Sequence, residues 1–458
     1  MDDGVVSVIN LYEFQREDVN HLTGVESALI ANEMGTGKTY EAIARDVRIR
    51  QELDNAATTL VIAPLTTLES TWLYHFERLT DLMVVVIDPK NRPESWKAFM
   101  DYGNVYCVHW EALRLMPQLR SITWTHIIAD ECHRAKNRKS QQTRHLKALT
   151  SLYKTAMSGT PVVNRPDELW SILNWLWPKK YGSYWRFFKS YVATTTQFAK
   201  GHQYQQIIGP KNLDKLHEEL EPFYTRRRKK DVLKDLPDKY YTEIKVDLLP
   251  VQRRAYNQMR DEMIAWIGQQ QEEVLLAPVV IAQLTRLQQF AVAYAEYNDR
   301  GSLRLAEPSS KLDALMEVLD ETEEPVVVFS RFKQLVNLLA DRLQLKPIPY
   351  VTLTGDTPQE DRARIVEKFQ RGEARVFIGS IAAGGVGITL HAASTVVFLD
   401  RDWSPALNEQ AEDRLHRIGQ TNAVQVIDIT ARNTVDLGKR QMLDLKKSWI
   451  RAILGDPA

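Results

Sequence analysis

Residues 27–49 read SALIANEMGTGKTYEAIARDVRI. A short apolar run leads into a glycine-bearing turn, and Ile43 and Val47, four apart, begin the apolar face of a helix. Strand, glycine-rich loop and helix, in that order, are the context required by the phosphate-binding pattern G-x-x-x-x-G-K-[ST]. Asn32 stands where that pattern has its first Gly. Gly35 and Gly37, either side of Thr36, let backbone amides approach phosphate oxygens, and the helix N-terminus adds its partial positive charge. Lys38 would reach the β- and γ-phosphates and Thr39 would ligate Mg2+. A plain turn before a helix is the competing reading of the loop taken alone.

At 458 residues the chain is too long for one ordinary core and predicts two or three domains. Apolar content of 44% and charged content of 26% are globular values. Lys+Arg and Asp+Glu both number 59, so net charge says nothing about nucleic acid and only local patches can. The two cysteines, Cys107 and Cys132, exclude a disulfide framework and suit a reducing compartment. The N-terminal MDDGVVSVINLYEF lacks the layout of a signal peptide, and no apolar run is long enough to predict a membrane span. The expectation is a soluble intracellular protein.

Short β-branched runs alternate with amphipathic stretches, which predicts βα units on parallel sheets. The runs are TLVIA (59–63), MVVVI (83–87), VYCV (105–108) and HIIAD (126–130), then VVVFS (326–330), RVFIGS (375–380), TVVFLD (395–400) and AVQVIDI (423–429). Two such series imply an α/β protein of two lobes. Between them, residues 169–213 hold six Lys/Arg, many aromatics and no Asp or Glu. A basic run, TRRRKKDVLKDLP (225–237), follows and reads as the crossing between lobes.

HIIADECHRAKN places Asp130 and Glu131 at the carboxyl end of a buried strand, where open α/β sheets bind ligands. One carboxylate can hold Mg2+ while the next orients or deprotonates an attacking water. Cys132 and His133 beside them lack a partner pair at zinc spacing, so Cys132 is read as a packed thiol. In SPALNEQAEDRLHRIGQ, Ser404 caps a helix, Pro405 opens it and Gly419 stops it. Gln410, Arg414 and Arg417 then share one helix face. A solvated face salt-bridged to Glu412 and Asp413 is the alternative; an arginine delivered across a cleft to a γ-phosphate is the functional reading.

NEMGTGKT (32–39), DECHRAKN (130–137), AMSGTP (156–161), AGGVGITL (383–390) and QAEDRLHRIGQ (410–420) together resemble the ordered motifs of superfamily-two helicase-like ATPases, and more narrowly the Swi/Snf family of DNA translocases. SGTPVVNRPDELWSILNWLWP, RRRKKDVLKDLP, SSKLDAL and the DRDWSPA block are also similar to the family pattern, so the resemblance runs from about residue 10 to 435. It implies two tandem RecA-like parallel-sheet lobes with helical protrusions and an ATP site in the interlobe cleft. Lobe one would be 1–225, with a protrusion over 162–225. Lobe two would be 226–458, with a protrusion over 240–305, the arginine-bearing helix over 405–418 and a C-terminal helix over 434–453.

The resemblance also implies the cofactors ATP and Mg2+, with Gln15 reading adenine and Gly387 and Gln410 joining the nucleotide site. It makes Lys38, Asp130, Glu131, Arg414 and Arg417 catalytic, with Thr39 and Asp130 on the metal. The partner implied is double-stranded DNA, facing Thr66, Thr67, Lys136, Asn137, Ser158, Gly159, Thr160, Arg331, Gly384, Gly385 and Trp403. The implied activity is ATP-dependent movement along duplex DNA by a monomer, with a strand-separating DNA or RNA helicase as the alternative. Asn32 departs from the Asp usual in similar proteins, and LTRLQQF (284–290) replaces a more basic version. No accessory domain is recognisable, which points to a cytoplasmic protein of a prokaryote or its virus rather than a nuclear one.

Overall fold

The computed structural model describes residues 9–53, 57–87, 89, 104–199, 202–269, 277–298, 302–384 and 388–457. The chain forms two compact units. Residues 1–195, 205–234 and 447–458 make the first, and residues 196–204 and 235–446 the second.

Unit one is built on seven parallel strands in the order Val84–Val86, Val105–His109, Thr59–Ala63, Thr123–Asp130, Thr150–Met157, Ser27–Ile30 and Tyr224–Thr225. Alternate side chains leave opposite faces of each strand. Leu60, Ile62, Ile127 and Ala129 accordingly join one apolar core, while Val61, Ala63, Ile128 and Met157 join another. Both faces are therefore covered, as a parallel sheet requires. The phosphate-loop strand sits beside the strand ending in Met157 and one strand away from the one ending in Asp130, so three motifs emerge along one carboxyl edge.

Unit two repeats the design with six parallel strands: Lys239–Val246, Val424–Ala431, Thr395–Phe398, Val326–Ser330, Val376–Ser380 and Tyr350–Leu353. Val326 and Val328 face one core, Val327 and Phe329 the other.

Three expectations change. Residues 239–246 belong to the sheet of unit two as its edge strand, and the helices of the following protrusion are Pro250–Gln269 and Ala277–Val292. The first protrusion is not all helical, because Val192–Ala199 and His202–Pro210 pair as strands. The C-terminal helix Val435–Leu454 ends in unit one, where Ile450, Ile453 and Leu454 enter the core.

Asn32 has a role that the loop alone does not disclose. Its Nδ2 donates to Asp18 Oδ2 at 2.8 Å and to Glu41 Oε1 and Oε2 at 3.1 and 2.9 Å. All three residues are buried. Burial, reinforced by the Asp18 carboxylate, pushes Glu41 up to about 8. The amide is thus the donor that separates two buried acids, and an Asp at this position would be a third acid among them. We expect Asn32→Asp to lower the melting temperature by roughly 5–10 °C. Glu41→Gln in that background should restore most of the loss, because the glutamine amide then supplies the missing donor. Equal melting temperatures for wild type and Asn32→Asp would show that the amide is not needed.

Candidate active site

The phosphate loop is held by its own backbone. Gly35 and Gly37 have φ of 82° and 86°, in the left-handed region that glycine adopts without strain. A Cβ on Gly37 would lie 2.4 Å from Gln15 Nε2. The reason is that this amide donates to the Thr36 carbonyl at 2.8 Å, while Gln15 Oε1 accepts from the Tyr12 amide at 2.9 Å. The glutamine expected to read adenine therefore also fixes the loop. Thr36 Oγ1 donates to the Glu33 carbonyl at 2.9 Å. Lys38 Nζ donates to the Asn32 and Glu33 carbonyls at 2.9 and 3.0 Å, bonds for which phosphate oxygens would compete. Thr39 follows it in the first turn of the helix Lys38–Glu52.

Asp130 closes its strand, and Glu131 follows with φ 49° and ψ 50°, a left-handed conformation that costs a non-glycine residue about 1–3 kcal/mol. Asp130 Oδ2 accepts from Trp72 Nε1 at 3.0 Å and Oδ1 from the Glu131 amide at 2.9 Å. Glu131 Oε2 lies 3.2 Å from His133 Nδ1 and accepts from Ser158 Oγ at 3.3 Å. Burial, then the Glu131 carboxylate, pushes Asp130 up to about 6. Burial pulls Lys38 down against the attraction of Glu131 and Asp130. Among the described residues no group of three or more His, Cys, Asp or Glu could hold a metal alone. Mg2+ fits this chemistry, because it takes one or two carboxylates and completes its shell with water and substrate phosphates. Asp130 and the Thr39 hydroxyl would hold it. Cys132 is a buried thiol, pushed well up by burial.

The segment 158–160 does not lie on an open surface as expected for a DNA contact. Ser158 is 0% exposed, with its hydroxyl on Glu131 and 3.1 Å from His133 Nδ1. Thr160 is buried as well, and a Cβ on Gly159 would meet Met34 Cγ at 2.7 Å. The strand Thr150–Met157 that leads into them pairs with the phosphate-loop strand, which brings this segment beside that loop. Of the other expected DNA residues in this unit, Thr67 Oγ1 donates to the Pro64 carbonyl at 3.0 Å, and Thr66 Oγ1 is buried with no hydrogen-bond partner among the described residues. Lys136 stands 3.7 Å from Glu168, and Asn137 is exposed.

In unit two, Ser404 Oγ accepts from the Leu407 amide and Pro405 opens the helix as expected, but the helix ends at Glu412 rather than Ile418. The Glu412 carbonyl accepts from both Leu415 and His416, and the Arg414 carbonyl takes the Leu390 amide at 2.8 Å. Buried Gln410 therefore lies on the helix while Arg414 and Arg417 lie in the turns beyond it. Both arginines reach one segment. Arg414 Nη1 donates to the Ile388 carbonyl at 3.3 Å and Arg417 Nη1 to Thr389 Oγ1 at 2.7 Å. Gly384 ends the short helix Ile381–Gly384, and Gly385 and Gly387 lie outside the described residues. Arg331 Nε is 3.4 Å from Asp402, next to Trp403, whose carbonyl accepts from Lys446 Nζ at 2.8 Å.

The partners of two charged sets escaped the sequence reading. Arg226 donates to the Ala31 carbonyl at 2.6 Å, to the Gly159 carbonyl at 3.1 Å, and to both oxygens of Asp456. Arg227 pairs with Asp18 and Glu17. The basic run is thus a clamp within unit one, joining the phosphate-loop strand to the 158–160 segment. In unit two, Glu412 accepts from Arg401 at 2.6 Å, Lys239 at 3.2 Å and Tyr241 at 2.9 Å, and Asp413 accepts from Lys239 at 2.9 Å. Arg401 also grips Asp428 at 2.6 Å. The signal for both lay in charges of opposite sign far apart in sequence.

The model of the SNF2-related domain matches residues 14–292, and that of the helicase conserved C-terminal domain matches residues 310–419. The Schizosaccharomyces pombe chromatin structure-remodeling complex subunit snf21 is 28% identical over 94% of this chain and 37% of its own length. The Saccharomyces cerevisiae nuclear protein STH1/NPS1 is 29% identical over 94% of this chain and 33% of its own. The chain thus spans about a third of the length of these curated relatives. A solved structure, the Sulfolobus solfataricus SWI2/SNF2 ATPase core in complex with dsDNA, is 26% identical and covers 97% of this chain and 92% of that one, with a TM-score of 0.44. The names of the eukaryotic relatives overturn the expected cytoplasmic, prokaryotic or viral setting, which rested only on the lack of recognisable flanking domains. No helix among the described residues is long and apolar enough to cross a membrane. With the first domain matching more than half of its residues, the chain belongs to the SNF2-related family of helicase-like ATPases.

Proposed function

We propose that the protein couples ATP hydrolysis to movement along double-stranded DNA. The observation that carries this reading is the convergence of Lys38, Asp130 and Glu131 at one edge of unit one's sheet. Lys38 would exchange its loop carbonyls for phosphate oxygens. Glu131, positioned by His133 and Ser158, would orient or deprotonate the attacking water. Mg2+, when bound, would neutralise charge on the phosphates.

Arg414 and Arg417, gathered at Ile388 and Thr389, are proposed to meet the γ-phosphate when the two units close on ATP. Hydrolysis then removes the group that made the closed state favourable, and the units reopen. If each unit grips the DNA backbone with different strength in the two states, the protein steps. Grip through phosphates carries no sequence preference, which suits a motor. A nuclear role on chromatin is a natural extension of this activity.

ATP hydrolysis measured with linear duplexes of increasing length should rise with length and then level off, and Lys38→Ala should abolish it. Lack of stimulation by any duplex, or full activity in the variant, would sink the proposal. For Arg417→Ala, nucleotide affinity should stay near that of wild type while turnover falls by about 10³-fold. Parallel loss of binding and turnover would make Arg417 a ground-state ligand instead.

A further inference from the structure

The helix Tyr184–Tyr191, YWRFFKSY, has no part in the ATP chemistry, yet its two faces differ sharply. Phe187 and Tyr191 enter the core of unit one. Tyr184 Oη donates to Asp167 Oδ2 at 3.0 Å, and its ring stands edge-on to Trp170 at 5.4 Å. Ser183 caps the helix by accepting from the Arg186 amide. The inner face thus holds the helix firmly. On the outer face Trp185, Arg186 and Lys189 are all exposed, and Trp185 is 62% exposed.

Leaving an indole in water forgoes a large apolar gain. This ring is also held in place, edge-on to Tyr184 at 5.1 Å and to Phe188 at 5.8 Å. Its surroundings are cationic. Arg186 and Lys189 make no ion pair among the described residues, and Arg138, also without an acidic partner there, places its guanidinium 4.1 Å from the Tyr184 ring centre. Asp167 is engaged by Arg165 at 2.9 and 3.2 Å and by Tyr184. No other acid is available from the surrounding segment, since residues 169–213 contain no Asp or Glu.

A rigid, exposed aromatic face among unpaired cations matches a polyanion that carries flat groups free to stack. Duplex DNA offers phosphates but keeps its base faces covered by their neighbours. A single strand offers both. We infer that this helix is a second DNA contact, outside the helicase motifs, where an unpaired base stacks on Trp185 while Arg138, Arg186 and Lys189 take the flanking phosphates. The protein then selects duplexes that carry a single-stranded tail. This refines the substrate of the DNA motor proposed above and rests on that reading.

The test compares the full chain's affinity for a blunt duplex and for the same duplex with an oligo-dT tail. Wild type should bind the tailed duplex about tenfold more tightly. Trp185→Ala should remove that preference without changing the melting temperature, and Trp185→Phe should keep part of it. Arg186→Ala with Lys189→Ala should weaken binding and flatten its salt dependence by about two counterions. No tail preference in wild type, or an undiminished one in Trp185→Ala, overturns the inference. A blunt duplex that binds but leaves ATP hydrolysis unstimulated overturns the motor reading instead, and the tail preference is still read directly from the binding curves.

Discussion

Two adjacent carboxylates, Asp130 and Glu131, sit at the end of a buried strand, and much of the polar architecture of unit one serves to keep them there. Burial, and then the neighbouring Glu131 carboxylate, raises the proton affinity of Asp130. Each oxygen therefore needs a donor. Trp72 and the Glu131 amide supply Asp130, while Ser158 supplies Glu131 with His133 beside it. Lys38 supplies positive charge from the phosphate loop. These partners come from four segments spread over more than a hundred residues, and the parallel sheet brings them to one edge. Positive φ at Glu131 is a local backbone cost at the point where the second acid follows the first.

The same rule operates in unit two with opposite emphasis. Glu412 is fully buried, which demands compensation, and it receives Arg401, Lys239 and Tyr241 together. Arg401 is itself divided between Glu412 and Asp428. The cluster ties the end of the helix Pro405–Glu412 to two strands of the sheet. A helix end anchored in this way gives the turns carrying Arg414 and Arg417 a fixed origin. Their guanidiniums then reach Ile388 and Thr389 from a defined direction.

The features legible in the sequence were those set by local chemistry. β-branched runs such as HIIAD and VVVFS became central strands because such residues pack well on a sheet covered on both faces. Gly35 and Gly37 were readable because their backbone conformation admits little else. What escaped depended on contacts between distant segments. Asn32 looked like a neutral loop residue, and only Asp18 and Glu41 on either side of its amide explain it. The helix expected to run to Ile418 stops at Glu412 because the Arg414 carbonyl is taken by Leu390, which no helix propensity reports. Ser158 and Thr160, given a DNA-facing role by the resemblance, are buried, with the Ser158 hydroxyl on Glu131.

Charge shows the same limit most clearly. The run RRRKK is the most basic stretch of the chain, yet Arg226 and Arg227 are matched by Asp456 and Asp18 and hold unit one together, while Arg228 pairs locally with Asp231. The segment 169–213 is less dense in cations, but it lacks acids of its own, and its exposed Arg186 and Lys189 have no ion-pair partner among the described residues. Surface potential is decided by what remains after internal pairing, and a zero net charge conceals both outcomes. A nucleic-acid surface on this protein is therefore to be sought where cations lack neighbours of opposite sign, which is where the structure also leaves Trp185 in water.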